Sequence, residues 1–362
     1  MSATRTTIQC VVLAAALSTL PSLRGDLHGQ SVPAPAAPVP ARPAPPYPGY
    51  TYERKFDAEI ADGDVHRVHF ENEHVMFLEV SNPPGLDVRM HGHPYPSVFA
   101  RDSETGPRRP DAPPMPTAPG GYDERQYPDS SWNDMGLGQG AAPNGMEWPT
   151  CQTAAPQAPH RPYNANIYPF HFFRIEFYRV DGEEFQTRWR EWYPEMASQP
   201  KPVKSAVPSG PPLSPEWPYP QGYDAVLAAP DNYRLLFEDG KIRLLEVIIR
   251  PGETTPMHGH PYPAVLASTS GLPDANVMAE KRLDPASKLD GQPRGRSTPP
   301  TVHQMKWPIC QSLAPQSPHT LTNRGKAPLH YYRIEYKRID GQQFGANWRK
   351  WYPWMQYMQY MR

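Results

Sequence analysis

Eight of the chain's 13 histidines form four pairs that recur at long, fixed intervals: His91 with His258, His93 with His260, His160 with His319, and His171 with His330. His-Gly-His stands at 91–93 and again at 258–260, each time within Met-His-Gly-His-Pro-Tyr-Pro. Side chains alternate along a strand, so an H-x-H directs both imidazoles to one side. A third histidine on a separate strand, His160 or His319, closes a face of three nitrogens. Such a face suits mononuclear Fe, Cu, Mn, Ni or Zn and leaves coordination positions open for substrate. The expected ligands are His91, His93 and His160 in one set and His258, His260 and His319 in the other. The competing reading is a set of hydrogen-bonded polar groups that hold no metal.

These histidines lie inside an internal repeat. His258 follows His91 by 167 positions and His319 follows His160 by 159, so the first copy carries eight extra residues between Val98 and Trp148. Leu78-Glu79-Val80 matches Leu245-Glu246-Val247, and Trp148-Pro149-x-Cys151-Gln152 matches Trp307-Pro308-x-Cys310-Gln311. Ala155-Pro156-Gln157-x-Pro159-His160 matches Ala314-Pro315-Gln316-x-Pro318-His319, and each copy closes on Trp-Arg-x-Trp-Tyr-Pro. Units this long are small domains rather than solenoid repeats. Alternation dominates within them. Ile242, Leu244 and Ile248 alternate with Leu245, Val247 and Ile249, which predicts a strand apolar on both faces. His330, Tyr332, Ile334 and Tyr336 share one face of another strand. Helical spacing occurs only at the copy ends, as Phe185, Trp189, Trp192, Met196 and as Phe344, Trp348, Trp351, Met355, where the aromatics are expected to plug or flank a barrel.

Composition bounds the alternatives. Fifty of 362 residues are proline, which excludes a helical bundle. The 36 basic and 37 acidic residues argue against a nucleic-acid or polybasic membrane partner. Proline clusters in 33–48, 107–128 and 197–222. The first and last read as extended spacer and linker, the middle one as a long loop of the kind that covers sites. Arg5 followed by the apolar run Ile8–Leu20 reads as an export signal, too short for a membrane span. The expected organisation is a signal peptide (1–25), a Pro-rich spacer (26–55), a first domain (56–196), a Pro-rich linker (197–222), a second domain (223–355) and a tail (356–362). The chain is expected to be periplasmic or secreted, with no membrane span in its mature form.

Each copy resembles a cupin domain, and the whole resembles a bicupin. Pro84-Gly85…His91-x-His93 and Pro251-Gly252…His258-x-His260 match the family's first motif, while His160-x-x-x-Asn164 and His319-x-x-x-Asn323 match its second. The resemblance implies an all-β chain of two tandem double-stranded β-helix (jelly-roll) barrels, with short helical elements at the end of each repeat and the metal inside the barrel. The family's usual metal-binding Glu is absent. Ser97 or Val98 and Ala264 or Val265 stand in its place, preceded by His-Pro-Tyr-Pro. The chain thus looks like the Glu-less three-histidine variant, among which are thiol and diketone-cleaving dioxygenases. Three neutral imidazoles leave a dication's charge uncompensated and favour an anionic ligand.

Around these sets stand further candidates. Gln152 and Gln311, Cys151 and Cys310, and His171 and His330 are candidates for extra ligands or supporting groups. The two cysteines, in equivalent positions of separate barrels, are expected as buried free thiols. Arg174 with Glu176, and Arg333 with Glu335, are expected in cross-strand ion pairs, with Glu79 and Glu246 as partners. Tyr95 and Tyr262, in phase with the H-x-H, are expected at the pocket mouth. No catalytic residue is assigned. The function expected is an exported metal-binding bicupin with one divalent transition metal per domain. It would act as a dioxygenase-like oxidoreductase on a small anionic molecule. A non-catalytic small-molecule, sugar-binding or structural bicupin, or a metal-dependent isomerase or lyase, are the alternatives. A homo-oligomer is left open.

Overall fold

The computed structural model describes residues 41–86, 88–111, 124–134, 138–139, 147–197, 212–214, 216–272, 278–291, 295–296 and 302–358. All of these fall in one compact unit, residues 39–362. The signal-peptide segment, residues 112–123 of the first copy's long loop and residues 198–211 of the linker lie outside the described residues. Among the described residues, no helix is long and apolar enough to cross a membrane.

Each copy is a double-stranded β-helix built from a six-stranded and a three-stranded sheet. In the first barrel the large sheet runs, in spatial order, His66–Glu71, Val75–Asn82, Phe170–Phe177, Ser97–Arg101, Thr150–Ala154, Gly138–Gln139. Its small sheet runs His91–His93, Gln157–Arg161, Glu124–Arg125. The second barrel repeats this order with Tyr233–Glu238, Ile242–Ile249, Leu329–Tyr336, Ala264–Ser268, Ile309–Leu313 and Gly295–Arg296. Its small sheet is His258–His260, Gln316–Asn323 and Met278–Arg282.

The strands with two apolar faces owe them to a core shared between the barrels. In Ile242–Ile249, Leu245, Val247 and Ile249 point into the second barrel. Ile242 and Leu244, together with Tyr332, Ile334 and Tyr336, pack instead against Val75, Phe77, Phe173 and Ile175 of the first. Period-two alternation thus divides each central strand between its own interior and the partner barrel. Cys151 and Cys310 meet in the same shared core as a disulfide, with Cα atoms 6.2 Å apart. The expectation of free thiols is therefore corrected: the large sheets pack so that equivalent positions become neighbours.

The helical ends are exchanged between the barrels. Phe344 and Trp348 of the Phe344–Trp351 helix, with Tyr352, Met355 and Met358, join the first barrel's core beside Met76, Leu78 and Phe172. Phe185 and Trp189 of the Phe185–Trp192 helix, with Tyr193 and Met196, pack on Ile248 and Ala327 of the second barrel. The aromatics do flank a barrel, but not that of their own repeat. Beneath one exchanged end lies a buried charge cluster. Lys241 Nζ sits 2.6 Å from Asp340 and 3.0 Å from Asp102, and also bonds the Tyr352 hydroxyl. Asp102, His171 and Asp340 have the spacing of a metal site, yet the two carboxylates are already paired with two cations, Lys241 with both and Arg338 with Asp340 at 2.7 Å.

Two segments expected as spacer or linker are folded. Tyr50 is buried, and Arg42 pairs with Asp57 at 2.7 Å. Pro212–Ser214 and Trp217–Pro220 form a hairpin, and Trp217 is fully buried, donating its indole N–H to the Gln316 carbonyl at 3.0 Å. An indole and a phenol of this size bury too much apolar surface to stay in a solvated linker.

Phe344→Ala is expected to cost about 3–5 kcal/mol, measured by denaturant unfolding. Amide exchange should show protection lost first in strands 75–82 and 170–177. Loss confined to strand 242–249 would contradict the exchange of ends.

Candidate metal centre

The H-x-H strand and the strand bearing the third histidine are ladder neighbours. His91 pairs with His160 and His93 with Gln157, while His258 pairs with His319 and His260 with Gln316. Alternation and this register bring the three rings of each set together. Centroid distances are 5.4, 4.8 and 5.8 Å in the first barrel and 5.2, 4.7 and 5.7 Å in the second. The residue between the two histidines must be glycine. A Cβ at Gly92 would lie 2.5 Å from the Tyr50 hydroxyl, and one at Gly259 would lie 2.7 Å from the Trp217 ring.

Every one of the six imidazoles holds Nδ1 in a hydrogen bond. His91, His160, His258 and His319 donate from Nδ1 to the carbonyls of Arg89, Ala158, Pro256 and Ser317 at 2.7–2.8 Å. His93 and His260 bond through Nδ1 to Glu176 at 2.8 Å and to Glu335 at 3.1 Å. Backbone carbonyls only accept, and Glu335 is held ionised, so in His91, His160, His258, His260 and His319 Nδ1 carries the proton and Nε2 keeps the lone pair, the tautomer a metal ligand needs. Burial holds His93, His258 and His260 well below the usual imidazole range, with Arg174 or neighbouring histidines adding to the effect. Burial likewise pushes His160 down to about 3. Neutral nitrogens close together in a buried site fit a divalent transition metal. In the second barrel the ligating nitrogens of His258, His260 and His319 lie within 4.8 Å of one another.

The first barrel adds a residue that pairwise reading of the repeat misses. His66 lies within 4.8 Å of His91 and His93, nitrogen to nitrogen, and its ring is 4.3 Å from that of His91. Its counterpart at the same register position is Tyr233: His66 pairs with Val80, and Tyr233 with Val247. The Tyr233 hydroxyl is 2.8 Å from His258 Nε2, and its ring centroid is 4.5 Å from that of His258. A comparison of polar residues at this strand start, rather than of histidines alone, would have found the position.

The first barrel's histidines line a cavity of about 330 Å³. Its walls include Val65, Val80, Phe99, Phe170, Phe172, Gln157 and Arg174. Arg174 donates from Nη1 to Gln157 Oε1 at 2.8 Å. Its Nε is 2.9 Å from Glu176 but poorly aligned, and neither Arg174 Nη2 nor Glu176 Oε2 has a hydrogen-bond partner among the described residues. Burial, only partly offset by Arg174, pushes the Glu176 carboxyl up to about 8. Glu335 behaves oppositely. Burial raises it, but Arg243 and Arg333 outweigh this and hold it well below the carboxylate range.

Several expected candidates lie elsewhere. Cys151 and Cys310 are in the disulfide. Gln152 lines a separate pocket with Arg101 and Trp148, and Gln311 pairs with Leu266 in the large sheet, not on either strand that carries the histidines. The glutamines beside the site are Gln157 and Gln316 instead. His171 and His330 face the shared core, bonded to Glu79 at 2.9 Å and Glu246 at 3.0 Å. Glu79 pairs across the ladder with Phe173, not Arg174, so it occupies the face opposite Arg174. The expected pairing of Glu79 and Glu246 with the arginines is thereby corrected. Tyr95 is buried against Tyr178, its hydroxyl donating to the Ala44 carbonyl, beside a separate groove. Tyr262 lies under the Arg243 guanidinium. The phase of the H-x-H strand ends at His93 and His260, where the chain crosses to the large sheet, so neither tyrosine lines the histidine cavity.

No protein-family model and no curated protein matches the chain. Among solved structures, it is similar to a cupin domain from Bordetella pertussis Tohama I, at 14% identity over 29% of this chain and 92% of that one, with TM-score 0.21. It is also similar to oxalate decarboxylase from Lactobacillus farciminis, at 13% identity over 74% and 77% of the two chains, TM-score 0.17. A third is salicylate 1,2-dioxygenase from Pseudoaminobacter salicylatoxidans, at 10% identity over 76% and 74%, TM-score 0.20. The fold is defined by the chain's own strand order, two tandem double-stranded β-helix barrels. Likenesses this distant carry nothing about activity, and the site must be read from its own geometry.

Glu176→Ala is expected to lower the first site's affinity for a divalent metal 10–100-fold, because His93 loses its orienting acceptor. Glu176→Gln keeps an acceptor and should lose less. Equal losses in a competition titration against a chelator would deny Glu176 this role.

Proposed function

We propose that this chain is an exported, metal-dependent oxidoreductase of dioxygenase type, acting on a small anionic organic molecule in the first barrel. The observation that carries the reading is the convergence of neutral imidazoles on a cavity that Arg174, a buried guanidinium whose Nη2 has no hydrogen-bond partner among the described residues, also lines. A divalent ion held there supplies Lewis acidity and, where redox-active, electron exchange with dioxygen. The chain's own residues do the rest. His91, His93 and His160 present neutral nitrogens and leave the ion's charge for an anionic group to balance. Arg174 Nη2 offers that group a charge-assisted hydrogen bond. Val65, Val80, Phe99, Phe170 and Phe172 form the apolar wall that limits water. Export is supported by the apolar run after Arg5 and by the Cys151–Cys310 disulfide, a bond favoured in oxidising compartments.

Loaded in turn with iron, manganese, nickel and copper, the purified chain should consume dioxygen with at least one small carboxylate, enolate, thiol or phenol. Arg174→Gln should raise KM for that substrate about 10–100-fold, with metal content unchanged. Turnover that survives removal of dioxygen would assign a lyase or isomerase. Ligand affinity unaltered in His91→Ala and His93→Ala, without turnover, would assign a binding protein.

Thiol titration under denaturing conditions tests compartment and disulfide together. The mature chain should show no free thiol before reduction and two after it. A further thiol would place Cys10, and hence the leading segment, in the mature protein.

A further inference from the structure

We infer that one register position decides which barrel takes a metal: His66 serves the first barrel as a fourth nitrogen, and Tyr233, its counterpart, keeps the second barrel closed. The inference rests on the metal-binding reading above and adds which of the two histidine sets is loaded.

The two sets are otherwise nearly superimposable, since corresponding ring distances differ by 0.1–0.2 Å. The fourth ring also stands in the same place, 4.3 and 5.2 Å from the H-x-H rings for His66, and 4.5 and 5.0 Å for Tyr233. What differs is the atom each offers. His66 offers a ring nitrogen within 4.8 Å of nitrogens of His91 and His93, and its Nδ1 is 3.4 Å from the Asp62 carbonyl. Tyr233 brings a hydroxyl to His258 Nε2. The Nδ1 proton of His258 goes to the Pro256 carbonyl, so the Tyr233 O–H donates into the one lone pair a metal would use.

The surroundings hold Tyr233 there. It is 1% exposed and packed in the second barrel's core with Leu245, Val247 and Tyr331. Three cavity walls of the first barrel, Asn82, Phe99 and Phe172, have Ile249, Leu266 and Tyr331 as counterparts, all buried in that core. A metal entering the second site would have to break the hydrogen bond and displace a packed ring, whereas the first site opens on a cavity.

Metal stoichiometry decides the matter. The full mature chain, stripped and titrated with Zn²⁺ against a competing chelator, should bind one tight ion. Tyr233→His should bind two, and Tyr233→Phe should raise the weak site's affinity about tenfold by removing the donor. His66→Tyr should lose the single tight ion, with circular dichroism confirming the fold. Two tight ions in the wild type overturn the inference and leave the metal reading standing. A charge-transfer band with Cu²⁺ that disappears in Tyr233→Phe also overturns it, by making Tyr233 a ligand. No ion bound by the wild type or by Tyr233→His overturns both.

Discussion

The packing of one six-stranded sheet on the other is the contact on which the rest of the molecule depends. It gives the central strands two apolar faces, so Ile242 and Leu244 need the first barrel as much as Leu245 and Val247 need the second. Each such side chain stabilises by roughly 1.5–3 kcal/mol when buried. The exchanged ends extend the dependence, because Phe344 completes the first barrel and Phe185 the second. Acidic, basic and imidazole groups on these faces are consequently desolvated and are paired. His171 with Glu79, His330 with Glu246, and Lys241 with Asp102 and Asp340 are such pairs. The inner faces are thereby left for the two histidine sets.

Some of this is written locally and some is not. The H-x-H geometry follows from strand periodicity alone, and the repeat supplies the third histidine, so both sets were legible. The fold class was legible for the same reason: two copies carry the same marks. The disulfide was not, because Cys151 and Cys310 read as equivalent residues of separate domains. Reciprocal exchange of helices implies an internal two-fold relation, and residues near such an axis meet their own equivalents. His66 escaped because comparing copies finds what they share, and this position is where they differ. Tyr95 escaped because alternation has meaning only within one strand, and Pro94-Tyr95-Pro96 lies between two. The burial of Tyr50 and Trp217 was hidden by the prolines around them, which weigh more in a composition window than one aromatic does.

The two barrels also differ in how completely their polar atoms are satisfied. In the second, Arg243 binds both Asp224 and Glu335, and Trp217 hydrogen-bonds the Gln316 carbonyl. In the first, Met76 stands where Arg243 would be and Tyr50 where Trp217 would be, while Asp57 is neutralised by Arg42 and Arg54. Among the described residues, the result is a first barrel with Tyr50 Oη, Arg174 Nη2 and Glu176 Oε2 without a hydrogen-bond partner. Of their counterparts, only Arg333 Nη2 is so placed. An unsatisfied buried polar group costs about 1–3 kcal/mol. Of these residues Arg174 lines the first barrel's cavity, and its Nη2 supports the proposed reading of that site as the one that takes a ligand. The same division appears in the fourth ring, a nitrogen donor in one barrel and a hydrogen-bonding plug in the other. The two copies present equivalent histidine sets, and positions 66/233 and 76/243 are where the surroundings of those sets part.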